Sequence, residues 1–369
     1  MRYRRMVMEV ESPEELGYDA IRCNLAESSL PDVPLKELGI DLDGVTLRYD
    51  DHRGRAELRE LLAADAQGLD ASHALVTGGA AMALFIVATT LLGPDDHIVV
   101  ARPNYASNLE TPRAIGCGIA YLDLRFEDGW RVDPERVAAA VTPSTRLISL
   151  TSPHNPTGTT IDAEALHEVS AIAGRAGARL LLDETYREMS FGDPAPPAAS
   201  IGPHVVAVGS LSKAYGMPGI RTGWILCSDT QLMETFLAAK EQVCLTGSVV
   251  DEEIALRVLQ ARDRWLPACR AKILESFGVT RAWMGTRADM EWVEPTGGAV
   301  CFPRMRPEAR IDTDRFYRTL RDQFGTMVGP GHWFEQPPSY MRIGFGWPQA
   351  QELADGLDAV GRALDASAG

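Results

Sequence analysis

Short apolar runs and helical patterns alternate through the first two thirds of the chain. Each run is rich in β-branched and aliphatic residues, which is typical of strands that are buried on both faces. The runs predict strands at 73–78, 97–102, 118–124, 146–151, 179–183, 204–209 and 222–227. Helical patterns at 80–91, 163–176 and 232–243 lie between them. This alternation predicts an α/β fold with a large domain built on a seven-stranded, mostly parallel sheet.

A change of pattern divides the chain into three parts. After about residue 249 the alternation gives way to a long helix, short strands at 298–302 and 340–345, and further helices. We therefore expect a large domain at 41–248 and a smaller α+β domain at 249–369. Residues 1–40 read as an extended segment that docks on one of the two domains, most simply on the smaller one.

Composition and charge narrow the class of protein. The 369 residues are 45% hydrophobic and 24% charged, which is ordinary for a globular protein with two domains. The formal net charge of -15 disfavours nucleic acid and anionic membranes as partners. No apolar stretch is long enough to predict a membrane span. Six cysteines without CxxC spacing, and no apolar run behind the basic N-terminus, predict a reduced, cytoplasmic protein.

Polar, aromatic and glycine residues follow several of the predicted strands. In open parallel sheets, ligands bind outside the carboxyl ends of the strands, where helix N-termini also point. The segments at these ends are TGGAA from Thr77, RPNY from Arg102, SPHNPTG from Ser152, DETY from Asp183 and SLSK from Ser210. We therefore expect these segments to carry the chemistry of the protein.

Lys213 is the lysine whose position suits covalent chemistry. Lysine occurs at only four positions in the chain, and Lys213 alone follows a buried strand. Shielding from water and nearby cations destabilise an ammonium group, so such a lysine can act as a nucleophile or form a Schiff base. Considered alone, a surface ion pair at a strand end is the simpler alternative.

A phosphate site is predicted beside Lys213. Arg221 follows a turn rich in Gly and Pro, which would let the chain fold back so that Ser210, Ser212 and Arg221 donate to one phosphate. The turn at 79–81 opens a helix, and its backbone N–H groups would bind the same phosphate.

The carboxylate of Asp183 begins at the end of a buried strand, after three consecutive leucines. A buried carboxylate costs free energy unless it is paired. One interpretation is a helix N-cap for the residues that follow. Another pairs Asp183 with a ring nitrogen that is kept protonated, as in pyridoxal phosphate, whose positive nitrogen makes the ring an electron sink.

Together these segments resemble the fold-type-I pyridoxal-phosphate enzymes of the class I and II aminotransferase family, from about Asn24 to Pro348. The segment SLSKAYGMPGIRTGW, from Ser210 to Trp224, resembles the family's Schiff-base segment and is the most specific motif. The resemblance implies an enzyme that uses pyridoxal 5′-phosphate, with Lys213 as its covalent anchor. It also implies that Lys213 moves the proton at the substrate α-carbon.

The other motifs imply roles for further residues. Asp183 and Tyr186 in LLDETY match the partner of the ring nitrogen and a donor to the cofactor's phenolic oxygen, which Asn155 in PHNPTG also binds. Tyr105 in RPNY matches the aromatic residue that stacks on the ring. The resemblance thus makes Lys213, Asp183 and Tyr186 catalytic. The implied cofactor ligands are Gly79, Ala80, Ala81, Tyr105, Asn155, Asp183, Tyr186, Ser210, Ser212, Lys213, Arg221 and Tyr49.

The resemblance also implies how the substrate binds and how the chain assembles. Arg342 in MRIGF matches the arginine that clamps the substrate α-carboxylate, a task suited to a two-pronged guanidinium. Asn155, Glu27 and Ser28 are the other predicted substrate contacts. Tyr49 in RYDDHRG matches a tyrosine that reaches the neighbouring subunit's phosphate, which implies a homodimer with shared active sites.

The wall around the substrate side chain has only weak candidates. They lie in loops, where a solvated surface position is an equally good interpretation. The candidates are Glu27, Ser28, His154, Arg187, Glu188 and His332.

Two kinds of reaction fit these residues. Aminotransfer is the main prediction, because it is the commonest activity in the family. The alternative is elimination, replacement or cyclisation at the β- or γ-carbon, within specialised biosynthesis. The stretches GGAVCFPR, VGPG and MRIGF resemble capreomycidine-synthase-type relatives, which eliminate and cyclise. The stretch NLAES at 24–28 resembles aminocyclopropane-carboxylate synthases, which act on S-adenosylmethionine.

Other classes of protein fit the sequence less well. A binding protein that merely kept the fold would have no use for a Schiff-base lysine together with Asp183, Asn155 and Arg342. A nicotinamide enzyme is disfavoured, because the paired-glycine turn at 116–118 lacks the third glycine of the dinucleotide fingerprint. The seven histidines show no metal-ligand spacing, so we expect no metal site.

Overall fold

Strands and α-helices alternate along the chain, and the computed structural model describes all 369 residues. The strands are β1 (Cys23–Leu25), β2 (Ala74–Thr77), β3 (His97–Arg102), β4 (Gly118–Asp123), β5 (Thr145–Thr151), β6 (Arg179–Asp183), β7 (Val205–Ser210), β8 (Gly223–Leu226), β9 (Met290–Glu291), β10 (Val300–Cys301), β11 (Arg304–Met305), β12 (Thr326–Pro330) and β13 (Met341–Gly344). The helices are α1 (Val7–Val10), α2 (Pro13–Leu16), α3 (Leu35–Leu38), α4 (Ala56–Ala63), α5 (Ala80–Leu91), α6 (Ala106–Ile115), α7 (Pro134–Ala140), α8 (Ala163–Ala176), α9 (Thr230–Val243), α10 (Val249–Gln260), α11 (Arg262–Met284), α12 (Thr313–Asp322) and α13 (Ala350–Ser367). None of the helices is both long enough and apolar enough to cross a membrane.

Strands β2 to β8 form the central sheet, in the order β2-β8-β7-β6-β5-β3-β4. All of them run parallel except β8, which is antiparallel to both of its neighbours. Each strand begins and ends within one residue of the bounds that the apolar runs predict. The prediction of a mostly parallel, seven-stranded α/β sheet is therefore confirmed.

Helices cover both faces of the central sheet, which explains why its strands read as continuous apolar runs. Leu180 and Leu182 of β6 pack on one face with residues of α8, whereas Leu181 packs on the other face with residues of α5 and α9. All three leucines are at most 2% exposed. Burying a leucine side chain contributes roughly 2 kcal/mol, so this pattern fixes which residues of β6 can face the helices. The edge strand β4 is more exposed.

The strand registers align the site-bearing end of the sheet. Thr151 at the end of β5 lies opposite Asp183 at the end of β6. Ser210 at the end of β7 lies opposite Gly223, the first residue of β8, which also lies opposite Thr77 of β2. The polar segments that follow these strands therefore start from one edge of the sheet.

A second sheet has four strands in the order β1-β12-β13-β10, and β9 pairs with β11 beside it. Helix α13 packs on the four-stranded sheet, with Leu357 and Val360 in the same apolar cluster as Leu25 of β1. The N-terminal segment thus adds a strand to this sheet, while the N–H of Arg2 donates to the carbonyl of Ala114 in α6. The domain bounds at 41–248 and 249–369 stay a prediction.

The long helix expected after residue 249 is two helices. Helix α10 ends at Gln260, Ala261 has φ −104° and ψ 13°, and the 23-residue α11 begins at Arg262. Neither Gly nor Pro marks the break, so the apolar pattern does not reveal it.

We predict that Gly223→Ala destabilises the protein. A Cβ at Gly223 would lie 2.5 Å from the carbonyl carbon of Gly79 and 2.6 Å from the nitrogen of Ala80, and this backbone cannot move without shifting the start of α5. Overpacking of this kind costs about 1–3 kcal/mol or more. Thermal unfolding monitored by circular dichroism measures the loss. Gly219→Ala is the matched control, because nothing lies within 4 Å of its added Cβ; equal midpoints for the two variants would contradict the prediction.

Candidate active site

A cavity of about 340 Å³ opens at the carboxyl edge of the central sheet. It lies between the strand ends, Arg342 of β13 and the N-terminal segment. The sequence-predicted residues that line it are Glu27, Ser28, Ala80, Ala81, Tyr105, Asn155, Asp183, Tyr186, Ser210, Ser212, Lys213, Arg221 and Arg342. Gly79 precedes Ala80 as the N-cap residue of α5.

One end of the cavity is built to hold an anion. Helix α5 begins after Gly79 without any side-chain cap, so N–H groups of its first turn lack partners within the helix. Ser210, Ser212 and Arg221 line the same cavity. Gly79 has φ +87°, and a Cβ there would collide with the Arg221 guanidinium. Backbone donors, hydroxyls and a guanidinium at a helix N-terminus are the groups that bind phosphate in proteins.

Asp183 is a buried carboxylate at the end of β6, and it is only 4% exposed. Its Oδ1 accepts hydrogen bonds from the backbone N–H of Thr185 at 3.1 Å and from the Thr185 hydroxyl at 2.6 Å. These bonds form a local turn rather than the helix N-cap that the sequence also allowed, because the next helical turn, Arg187–Met189, follows Tyr186 without a side-chain cap. Burial nevertheless raises the pKa of Asp183, although the Thr185 and Asn108 donors and the charge of Lys213 oppose that rise. A ligand with a protonated nitrogen would complete the pairing of this carboxylate.

Arg342 is buried, yet one of its donors has no partner. Its Nη1 donates to Oδ1 of Asn155 at 2.9 Å, and its Nη2 donates to the carbonyl of Ala26. The Nε atom is buried without a hydrogen-bond partner. Burial lowers the pKa of Arg342. An anionic ligand group, such as a carboxylate, would both satisfy Nε and stabilise the charge.

Two tyrosines, the buried Tyr186 and the half-buried Tyr105, connect the cavity to the N-terminal segment. The Tyr186 hydroxyl donates to Oγ of Ser28 at 2.9 Å. The Tyr105 hydroxyl donates to Oε1 of Glu9 at 3.2 Å. Burial and the charge of Glu9 raise the pKa of Tyr105, so its hydroxyl stays protonated.

Lys213 lies one loop beyond β7 and lines the cavity with Asp183 and Glu27. Its carbonyl accepts the N–H of Leu30 at 3.1 Å, which ties the lysine backbone to the N-terminal segment. Its positive charge lowers the pKa of both carboxylates and so opposes the effect of their burial. Lys213 therefore lines the cavity and does not form a surface ion pair.

The sequence did not reveal that residues before Cys23 line this cavity. The apolar pattern of this segment is too short to show where it returns, and Glu9 and Tyr105 are 96 residues apart. The lining residues missed from the sequence are Met8, Glu9, Ser12, Pro13, Glu14, Ala26, Leu84, Thr151, Thr185, Pro218 and Trp333.

Four candidates for the substrate wall lie outside the cavity, and that prediction is wrong for them. His154 is buried against backbone and Thr157, and burial lowers its pKa to about 4. Arg187 pairs with Glu188, and His332 lies against Glu11.

Tyr49 is the one predicted cofactor ligand that the structure places away from the cavity. Its side chain is 79% exposed in the single chain. Such exposure leaves it available to a second copy of the chain, and its role stays a prediction.

A family model, curated proteins and solved structures match most of this chain. The family model described as aminotransferase class I and II matches residues 23–360. Capreomycidine synthase of Streptomyces vinaceus is 29% identical over 336 residues, covering 88% of this chain and 82% of the relative. The arginine–pyruvate transaminase of Pseudomonas aeruginosa is 29% identical over 328 residues, covering 84% and 81%. The solved PLP-dependent cyclase OrfR superposes with a TM-score of 0.88 at 29% identity, over 100% of this chain and 99% of that chain.

We predict that Glu11→Ala loosens the N-terminal segment. Glu11 Oε2 accepts from Nε1 of Trp333 at 2.7 Å and lies 2.7 Å from Nε2 of His332. Loss of these partly exposed contacts costs roughly 1 kcal/mol, which corresponds to about fivefold faster hydrogen exchange of amides 7–16. Glu15→Ala is the control, because Glu15 pairs only with Arg5 in the same segment. Unchanged exchange in Glu11→Ala would show that this tie does not hold the segment.

Proposed function

Because this chain belongs to the class I and II aminotransferase family, we propose that it transfers the amino group of an amino acid. Its cofactor is pyridoxal 5′-phosphate, as the resemblance predicted, and it is an enzyme. The observation that carries the proposal is the convergence of Lys213, Asp183 and Arg342 on one cavity beside the uncapped start of α5.

The residues of the cavity fit this cofactor. When bound, pyridoxal 5′-phosphate supplies a conjugated ring that takes up the electron pair left at the substrate α-carbon. Ser210, Ser212, Arg221 and the N–H groups at the start of α5 would hold its phosphate. Asp183 would keep the ring nitrogen protonated, since a buried carboxylate is stabilised by a cationic partner.

The same residues explain how a substrate would be held and deprotonated. Arg342 would bind the α-carboxylate through its unpartnered Nε and an Nη donor. The Oδ1 of Asn155 is already used by Arg342, which leaves the amide NH₂ to donate to the cofactor's phenolic oxygen. Tyr186 would have to release Ser28 to donate to the same oxygen. Lys213 would anchor the cofactor and then carry the proton at the α-carbon.

A second candidate is elimination, replacement or cyclisation of the amino acid side chain. It is favoured by the likeness to capreomycidine synthase and to a PLP-dependent cyclase, each at 29% identity. Lys213 and Arg342 serve both candidates, because each reaction begins with the loss of a proton from the α-carbon. The related proposal that S-adenosylmethionine is the substrate rests on NLAES alone. In the structure Asn24 of this motif bonds the backbone N–H of Ala26.

The reaction type can be decided in a single turnover. We expect the cofactor-loaded enzyme, mixed with an amino acid and no keto acid, to lose the absorption band of the cofactor's aldehyde form. About one 2-keto acid should appear per active site, because the amino group stays on the cofactor. Repeated product release with the aldehyde band retained would instead establish the second candidate. Lys213→Ala is the control and should be folded by circular dichroism but inactive; wild-type turnover in this variant would contradict the role of Lys213.

We also propose a homodimer with shared active sites. Leu47 and Tyr49 are both 79% exposed in the single chain, and apolar and aromatic side chains exposed together favour a contact surface. By the family resemblance, Tyr49 would reach the phosphate held by the partner's cavity.

Mixing two inactive variants tests this arrangement. We expect Tyr49→Arg to crowd the partner's cavity and Lys213→Ala to inactivate its own. Co-refolded in equal amounts, they should recover about a quarter of wild-type activity, because half of the random dimers have one intact site. Sedimentation as a monomer at micromolar concentration, or verified mixed dimers without activity, would contradict the shared site.

A reducing, cytoplasmic location and a role in amino acid biosynthesis complete the proposal. All six cysteines are free thiols, which supports a reducing compartment.

A further inference from the structure

Three carboxylates line the cavity without a basic partner. All three come from the N-terminal segment: Glu9 and Glu14 precede β1, and Glu27 follows it. The contacts of Glu9 and Glu27 are tyrosine hydroxyls: Tyr105 donates to Glu9, and Tyr18 donates to Glu27 at 3.3 Å. None of the three forms an ion pair, whereas the nearby Glu15 pairs with Arg5.

The cations in the cavity already have other tasks in the proposed function. Arg221 faces the phosphate end, Lys213 anchors the cofactor and Arg342 clamps the α-carboxylate. Of these, Lys213 and Arg342 now stabilise the charge of Glu27. Once the cofactor and an α-carboxylate bind, both cations acquire closer partners. The acidic groups then lack a positive charge that only the substrate can bring.

Arg342 independently indicates where the substrate lies. Its buried Nε has no partner, and its Nη2 is fixed by the carbonyl of Ala26, the residue before Glu27. A carboxylate on Arg342 therefore lies next to the chain segment that carries Glu27. The substrate side chain extends into the remainder of the cavity, whose unassigned charged groups are Glu9, Glu14 and Glu27.

The partial burial of Glu27 makes its carboxylate favour a cationic partner. Loss of water around its carboxyl group raises the pKa of Glu27. A cation beside a partly desolvated carboxylate is attracted more strongly than in water, whereas a carboxylate or an apolar group there would leave Glu27 unpaired.

We propose that the substrate is an amino acid whose side chain ends in a cationic group, bound by Glu9, Glu14 and Glu27; this rests on the proposed function. A guanidinium is the best match, because its five N–H donors can serve more than one carboxylate. The N-terminal segment is then a specificity-determining part of the enzyme, since it supplies all three acids.

Paired substrates that differ only in charge test the proposal on the cofactor-loaded enzyme. L-Arginine and L-citrulline have nearly the same shape, but only arginine is cationic. We expect spectral titration and kcat/KM to favour arginine over citrulline by about 10–100-fold, the range for a hydrogen-bonded charge. L-Lysine and L-ornithine should fall between them, and L-aspartate should be the poorest substrate.

Isosteric variants locate the effect. Glu27→Gln and Glu14→Gln should each lower the arginine-to-citrulline ratio of kcat/KM by about tenfold. Glu15→Gln, which neutralises an acid outside the cavity, should leave the ratio at its wild-type value. The arginine-to-citrulline ratio changes only when recognition of the charge changes, whereas a general loss of structure would lower kcat/KM for all substrates together.

The outcomes separate this inference from the function on which it rests. If neutral or acidic amino acids react as well as arginine, the cationic-substrate inference is overturned and the proposed function stands. An unchanged ratio in both Glu27→Gln and Glu14→Gln likewise overturns it. If no amino acid changes the cofactor spectrum, the proposed function fails and this inference falls with it.

Discussion

The buried guanidinium of Arg342 joins three distant parts of the chain. It lies on β13 of the small sheet, donates to Asn155 beyond β5 of the central sheet, and donates to Ala26 beyond β1. A buried guanidinium that lost one of these acceptors would be left with an uncompensated donor, at a cost of several kcal/mol. The mutual position of the two sheets and the N-terminal segment therefore depends on this residue, and the cavity exists where the three meet.

Charge balance then governs what the cavity can hold. Asp183 and Glu27 are partly or fully removed from water, and Lys213 is the cation whose charge acts on both. A ligand that binds Lys213 weakens this stabilisation, so the ligands must themselves bring positive charge to the two carboxylates. In the proposed function, a protonated ring nitrogen would do this for Asp183, and in the further inference a cationic side chain would do it for Glu27. The cofactor and the proposed substrate would thus complete a set of charges that the chain leaves unbalanced.

The central sheet and the strand-end residues were predictable, because each is fixed by local sequence. Because helices cover both faces of β6, its residues must be apolar, as the three leucines are. The polar residue that follows them marks the carboxyl end of the strand, so Asp183 could be placed from the sequence alone. The start of α5 was predictable for the same reason, since Gly78 and Gly79 follow a strand and Gly79 can adopt the positive φ that this turn requires. The contacts of Glu9 with Tyr105 could not be predicted, because they connect a short polar segment to a helix start 96 residues away. His154 was misplaced because a loop sequence does not show which of its polar groups turn inward.

The residues that this chain shares with its family and the residues proposed to select its substrate lie partly in different segments. The family model begins at residue 23, so it includes the strand ends that carry Lys213 and Asp183 but excludes Glu9 and Glu14. In the proposed function, removal of the α-proton would need only the included residues, whichever reaction follows. The proposed recognition of the substrate side chain would depend in part on Glu9 and Glu14, which lie outside the matched residues. Glu9 reaches the central sheet through Tyr105, and Glu11 reaches the small sheet through Trp333. The segment therefore spans the cavity from one sheet to the other, and a bound side chain would contact it directly.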